Sequence, residues 1–400
     1  MSTRPTDEAI LTSTAATEIH PADEQYWSGI QQQYAVSQDF INLENGFFSL
    51  QSTPVFDAFQ RYNLLLNQEA AYFLRTKFPQ RLASIMQALA DFTGAGVHEL
   101  VLTRNLMEAM NILIQGYPFR AGDEVVLSTQ DYDSVAETFD MVSMRKSLKL
   151  VRVRLPLHPR GDEDIVALYE NAITPRTRVL LVTHMIHLTG QIAPVAKIAA
   201  MARRHGVDVL VDAAHSFAQI DYRLPDLTAD FVAVNLHKWL GAPLGVGLLY
   251  IGKERIADIA PLFGDTSHAA TDIRKFTHVG TTPPAPILAI EDAIAFHHAI
   301  GGRNKEARLR YLKDYWTTRV KGFSRIELLT PEASHRSCAI AAFHVKDMTS
   351  EQVVRYLFDE HRIFTVGREI EGKAGIRVTP HLYTRIDDLD RLVEALRRFA

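Results

Sequence analysis

A single cysteine, Cys338, in 400 residues excludes an intrachain disulfide framework and any metal site built from cysteines. Long apolar runs are missing too: stretches such as 179–182 and 198–202 fall far short of the roughly 20 residues a membrane helix needs. Neither sign of charge prevails. With 43 Lys and Arg against 47 Asp and Glu, the formal charge is −4, which gives no electrostatic reason to expect nucleic acid or an anionic membrane as partner. Residues 1–24 are polar and mixed in charge, without the basic start and apolar core of a signal peptide, and are expected to form a flexible arm. These absences leave a soluble, cytoplasmic protein acting on small molecules as the expectation. Hydrophobic residues at 47% and charged residues at 22% are an ordinary globular balance, in a chain long enough for two domains and a core that needs no staples.

Between residues 99 and 251, short β-rich runs alternate with helical spacing, which predicts an α/β architecture: a mainly parallel sheet with helices on both faces. The predicted strands are 99–103, 124–129, 148–154, 179–183, 208–212 and 231–235, with 245–251 as a later, antiparallel member. Helical spacing covers 107–115, 134–145, 164–171 and 195–205, and Gly116, Gly122 and Gly206 punctuate the ends. Pro283-Pro284 opens a helix expected to run to about 300, and a charged helix is expected over 305–320. Beyond it lies α+β content: strands at 338–345, 363–366 and 376–379, helices at 350–360 and 387–399. Thr349 with Gln352 forms a capping-box pattern at the first of these helices. The expected division is an arm over 1–24, an N-terminal segment with a large domain over 25–290, and a small C-terminal domain over 291–400. The helical, aromatic stretch 25–95 is expected to pack across both domains.

In an open parallel sheet, ligands bind beyond the carboxyl ends of the strands, so the residues just after each strand are candidates by geometry. They are Arg104 to Met107, Asp131-Tyr132, His184 to His187, Asp212 with His215, and Asn235 to Lys238. Lys238 ends an apolar strand pattern, and an amine whose pKa is lowered there can form an imine with an aldehyde cofactor and then move protons at Cα. It reads equally as a lysine capping a strand, although Trp239-Leu240-Gly241 argues against a plain solvated loop. Asp212 closes another apolar run, and a carboxylate there can keep a pyridine nitrogen protonated; capping the segment from Ala213 is the competing role. The combination of the two points to pyridoxal phosphate (PLP). His184-x-x-His187 has metal-like spacing but no third ligand in view, and no metal is expected.

Asn235-Leu236-His237-Lys238 resembles the Ser-x-His-Lys of the class V aminotransferase family, and Val211-Asp212-Ala213-Ala214-His215 resembles its Val-Asp-x-Ala-Gln/His. The resemblance runs from about 40 to 395, is strongest for the isopenicillin N epimerase-like subgroup, and implies the PLP-dependent transferase fold type I and a homodimer. It implies that Lys238 carries the cofactor, that His237 and Asn235 contact its phosphate, that Asp212 pairs with the ring nitrogen, and that His215 and His187 lie near the ring hydroxyl. Leu106-Met107-Glu108-Ala109 falls at the phosphate-binding helix start, where Met107 stands in place of a threonine. Tyr132 matches the residue stacked on the ring, with a core tyrosine as the rival reading. Gly280-Thr281 resembles the pair that reaches the neighbouring subunit's phosphate, and equally reads as a helix cap before Pro283. Arg377, in Arg377-Val378-Thr379-Pro380-His381-Leu382-Tyr383, is implied to hold the substrate α-carboxylate through a two-pronged ion pair. Asn45, Phe47 and Arg75 match the substrate rim.

Three reactions share the first step, proton loss from Cα: transamination, epimerisation and β-elimination. Persulfide-forming desulfurases place a cysteine in a mobile loop corresponding to about 366–368, and this chain has none there; Cys338 begins an apolar strand pattern and reads as a buried thiol. The expectation is therefore an aminotransferase or epimerase acting on an α-amino acid, with a C–S lyase as first alternative and a non-catalytic protein of the same fold as second. A zinc hydrolase built on the histidines ranks lower.

Overall fold

The computed structural model describes residues 18–400. Most of the expected flexible arm thus lies outside the described residues, but residues 19–24 are tied down. Arg308 is wholly buried and needs acceptors, which Pro21 O (2.8 Å) and the Glu24 carboxylate (2.9 Å from Nη2) supply, and Ile19 N–H donates to Asn304 Oδ1 at 3.0 Å.

The strands in chain order are β1 (Ile41–Asn42), β2 (Leu100–Thr103), β3 (Glu124–Ser128), β4 (Lys149–Val153), β5 (Thr177–Thr183), β6 (Asp208–Asp212), β7 (Phe231–Asn235), β8 (Gly247–Ile251), β9 (Ile326–Leu328), β10 (Ala341–Val345), β11 (Ile363–Phe364), β12 (Val366–Ile370) and β13 (Lys373–Val378). Seven of them form one sheet in the order β2-β8-β7-β6-β5-β3-β4. Only β8 runs against its neighbours, as expected for a strand that follows β7 without a crossover helix. Burial on both faces explains the continuous apolar strands. Leu180 and Val182 of β5 and Val232 and Val234 of β7 enter one core, while Val179, Leu181, Phe231 and Ala233 enter the other. The chain passes from β3 to the edge strand β4 and returns to β5, so a topological switch point lies between β3 and β5.

The C-terminal part holds the antiparallel sheet β12-β13-β10-β9, with a core that includes Trp316, Phe343, Leu357 and Leu392. Ile41 and Leu43 belong to this core, and β1 pairs in parallel with β11, which ties the N-terminal segment to the C-terminal part. The helix Gly302–Val320 bridges the two parts: Leu309 packs in the first core, Leu312 and Trp316 in the other. The helix expected from Pro284 to 300 is broken at Ala289 into Pro284–Leu288 and Ile290–Ile300.

The strand expected over 363–366 is split into β11 and β12, and residues 366–368, which correspond to the desulfurases' mobile loop, lie in β12. The hairpin to β13 turns at Glu371-Gly372, both with positive φ (52° and 82°), the conformation that matches the strand twist in a two-residue turn. Among the described residues no helix is long and apolar enough to cross a membrane.

Candidate active site

The carboxyl ends of β3, β5, β6 and β7 bring the predicted residues to one edge of the large sheet. Asp212 is buried as the last residue of β6, and its Oδ1 accepts the Ala214 N–H at 2.9 Å, the capping role anticipated for it. Burial pushes its pKa up to about 6, against the pull of the Ala214 N–H and of Lys238. Lys238 lies three residues past the end of β7. Its Nζ lies 3.1 Å from His215 Nε2, and burial pushes the ammonium down to about 8, with Asp212 opposing.

The loop that carries Lys238 is held on several sides. Ser49 Oγ and Gly241 N–H donate to the Lys238 carbonyl, and the buried Lys305 ammonium donates to the Trp239 carbonyl. Trp239 stacks on His381 with ring centroids 5.4 Å apart, and its Nε1–H donates to His215 Nδ1 at 3.4 Å. That bond assigns the proton of a neutral His215 to Nε2, from which it donates to Lys238 in its unprotonated amine form, the form that prevails above about pH 8. Burial first, then Lys238 and Arg377, hold His215 well below the usual histidine range, so the imidazole is neutral.

His187 stacks over His215 (6.4 Å, 19°) and meets the edge of Tyr132 (5.5 Å), while its Nδ1 is buried without a hydrogen-bond partner. His184 turns elsewhere, toward Tyr222. Among the described residues no group of three or more His, Cys, Asp or Glu could hold a metal ion. Beneath Tyr132, Asp131 accepts from Thr183 Oγ1 and Ser128 N–H, both at 2.6 Å, and fixes the turn after β3.

Beyond β2, the helix Leu106–Gly116 points its start at the same edge. Asn105 caps it through the Glu108 N–H (2.9 Å), and Asn235 Oδ1 takes the Leu106 N–H at 2.8 Å. The Met107 N–H lies between these two filled donors, and the Asn235 amide N–H groups stay available. Gly247 makes the approach possible, because a Cβ there would come 2.7 Å from the Asn105 backbone. His237 Nδ1 bonds the Val246 carbonyl at 3.0 Å, which leaves Nε2 free, and burial pushes its pKa to about 4.

Arg377, on β13, is buried against the same region. Its Nη1 donates to His187 O at 2.9 Å, and the rest of its guanidinium pairs with Glu44. Asn45 is fully buried and knits the rim: its N–H and amide reach Thr379 Oγ1 (2.6 Å) and O (2.7 Å), and its Oδ1 accepts from Tyr383. Phe47, 70% exposed, lines a cleft of about 430 Å³ with Phe40, Phe48, Phe364, Glu44 and Arg368. Arg75 is exposed in the last turn of the helix Thr53–Thr76 and does not line that cleft. Thr281 is exposed on the segment after Gly280, whose φ is 81°. The one cysteine, Cys338, is buried, and its thiol is pushed up to about 12.

Glu44, Arg368 and Lys305 were not among the predicted residues. Glu44 directly precedes Asn45, and Arg368 sits in the segment that corresponds to the desulfurases' cysteine loop, so both carried a local signal. Lys305 looked like one charge among many in a polar helix.

The sequence profile of the family described as "Aminotransferase class-V" matches residues 48–392. The chain belongs to the class V aminotransferase family, a family of PLP-dependent enzymes. Among curated proteins it is 28% identical to the isopenicillin N epimerase of Amycolatopsis lactamdurans, over 94% of this chain and 98% of that one. The Streptomyces clavuligerus protein of the same name is also 28% identical, over 92% and 97%. A cysteine desulfurase from Haloferax volcanii is 25% identical over 77% and 76%. In fold the chain is similar to a C-DES mutant solved with glycine covalently linked to PLP (TM-score 0.83, 23% identity, 92% of this chain and 99% of that one). It is likewise similar to the apo cysteine desulfurase of Thermococcus onnurineus NA1 (TM-score 0.83, 21% identity, 93% and 97%). These structures confirm the expected fold class.

Proposed function

We propose that this class V enzyme acts at Cα of an α-amino acid as an aminotransferase or epimerase, with Lys238 as the lysine that carries PLP. The observation that carries this reading is the Lys238 amine held by the neutral His215, beside a buried carboxylate whose second oxygen stays free. The residues fit the cofactor. Asp212 Oδ2 would meet the ring nitrogen, and the orphaned His187 Nδ1 is a polar atom that a ring substituent would satisfy. Tyr132 and His215 would flank the ring, the Met107 N–H and the Asn235 amide would hold the phosphate at a helix start whose dipole favours an anion, and His237, whose Nδ1 proton faces the Val246 carbonyl, would donate from Nε2 once the phosphate charge protonates the ring. Bound there, PLP supplies an electron sink for the Cα carbanion.

The chain's own groups then divide the work. Asp212 would keep the ring nitrogen protonated, Arg377 would orient the α-carboxylate, and Lys238 would take the Cα proton; a transaminase then needs that proton delivered to the cofactor's aldehyde carbon, and an epimerase needs a different acid to protonate Cα from the opposite face. The full-length similarity to isopenicillin N epimerases supports this branch. The chain's one thiol, buried at Cys338, leaves no candidate for the persulfide step of a desulfurase. We further propose a homodimer in which Gly280-Thr281 of one subunit reaches the neighbour's phosphate; the exposure of Thr281 in a single chain agrees with it.

Borohydride reduction of the PLP-loaded protein, followed by peptide mapping, should place the phosphopyridoxyl label on Lys238. Incubation with an amino-acid panel in deuterated water should then yield oxo-acid or inverted, deuterated amino acid. Label at another lysine, or sulfide as the one product, would overturn the proposal.

The pH dependence of cofactor uptake follows from the depressed amine. The neutral form is the nucleophile, so the rate at which apoprotein forms the lysine-linked chromophore should rise with pH and level off above about 8. A midpoint near 10, that of a solvated lysine, would count against a buried reactive Lys238.

A further inference from the structure

Arg377 is proposed above to receive the substrate carboxylate, yet its guanidinium already holds one. Its Nη2 contacts Glu44 Oε1 and its Nε lies 3.3 Å from Oε2, with the two side chains only 3% and 7% exposed. The surroundings are built for this pair. Glu44 Oε1 also accepts the Phe47 N–H at 3.1 Å, and Glu44 bridges to Thr379, one residue past β13. Gly46 passes so close beneath the guanidinium that a Cβ there would come within 2.6 Å of Nη2. The fold has thus made a carboxylate site on Arg377 and filled it with its own side chain.

A second cation stands beside it. Val366 of β12 pairs with Arg377 of β13, so Arg368, two residues along, is a diagonal neighbour on the same face. Arg368 is half-buried, lines the same cleft as Glu44, and donates from Nη1 to the carbonyl of the adjacent Gly367 at 3.2 Å. Two guanidiniums and one carboxylate leave the group with one positive charge in excess, which one further carboxylate would neutralise.

We propose that Glu44 is an exchangeable carboxylate: it holds Arg377 in the empty site and passes to Arg368 when the α-carboxylate of a substrate takes Arg377. The inference rests on Arg377 as the carboxylate receptor. It makes Glu44 and Arg368 determinants of specificity, because a ligand without a carboxylate cannot release Arg377. The cleft that Glu44 and Arg368 line also carries Phe40, Phe47, Phe48 and Phe364, which suits a substrate with a bulky apolar group.

The test is titration of PLP-loaded protein with phenylalanine and with phenylalanine amide, read from the cofactor absorbance rather than from turnover. Glu44→Gln should bind the acid roughly tenfold more tightly, since apparent affinity scales with the fraction of sites in which Arg377 is free, and should not gain for the amide. Arg368→Gln should weaken binding of the acid roughly tenfold, and that loss should shrink to about threefold or less in the Glu44→Gln background, where no displaced carboxylate needs housing. Should Glu44→Gln not fold, Glu44→Asp, with its shorter reach, is expected to tighten binding in the same direction. Weaker binding of the acid by either Glu44 variant, or an Arg368 loss of equal size in both backgrounds, overturns the exchange. Arg377→Ala separates the two levels. If it binds the acid as wild type does, the carboxylate assignment itself fails; if it alone loses the acid with the cofactor spectrum intact, that assignment stands whatever the fate of the exchange.

Discussion

Lys238→Ala is expected to lower turnover by roughly 10³-fold or more while the protein still folds and still takes up PLP. The phosphate contacts proposed at Met107, Asn235 and His237 and the carboxylate of Asp212 do not depend on the amine, so binding survives without it. Lys238→Arg sharpens the result. An arginine keeps the positive charge near Asp212 but stays protonated at any pH the protein tolerates, and so can act neither as nucleophile nor as base. If Lys238 were only an ion-pair partner of Asp212, arginine would preserve activity and alanine would cost stability. In the proposed reading both variants are inactive and alanine is partly rescued by small primary amines. Steady-state kinetics on the amino acid found in the panel, with methylamine added or withheld, checks this; Lys238→Arg turnover within tenfold of wild type would remove Lys238 from the chemistry.

The large sheet was legible because its residues answer to local rules. Strands buried on both faces must be continuously apolar, and β8 followed β7 too closely for a crossover helix, so even its reversed direction could be read. The strand-end rule then collected Asp131, His187, Asp212 and Lys238 before any contact was known. Long-range pairing was not legible. Glu44 and Arg377 meet across 333 positions, β1 finds β11 from the far end of the chain, and Arg308 fixes residues 21–24 through contacts that no periodicity announces. The strand expected over 363–366 was cut short for a related reason: nothing local carries it on to Ile370 until Glu371-Gly372 folds β13 back onto it. Asn235 shows a third kind of gap. Its place in the motif is legible, but that its oxygen faces the Leu106 N–H follows from Gly247 letting two backbones approach, which is a fact of packing.

Asp212→Asn is expected to lower turnover by roughly 10²- to 10⁴-fold and, unusually, to stabilise the apoprotein. The stability half follows from linkage. Burial raises the carboxyl from 3.8 to about 6 in the folded state, so the native protein binds the extra proton between those values and stability falls as pH rises through that window. Above it, the ionised carboxylate is a standing cost of about 1–3 kcal/mol, kept because the negative charge is needed opposite a protonated ring nitrogen. Asparagine retains Oδ1 to accept the Ala214 N–H and carries no charge to desolvate. Denaturant unfolding of the apoproteins at pH 7–8 should therefore give Asp212→Asn the higher midpoint, and at pH 4 the gain should largely vanish as the wild-type carboxyl takes up its proton. A carboxylate that served only to cap the turn after β6 would behave otherwise: its amide would leave activity close to wild type, and stability unchanged or lower at both pH values. Activity lost together with a stability gain confined to neutral pH is the combination that separates a charge held for chemistry from a charge held for structure.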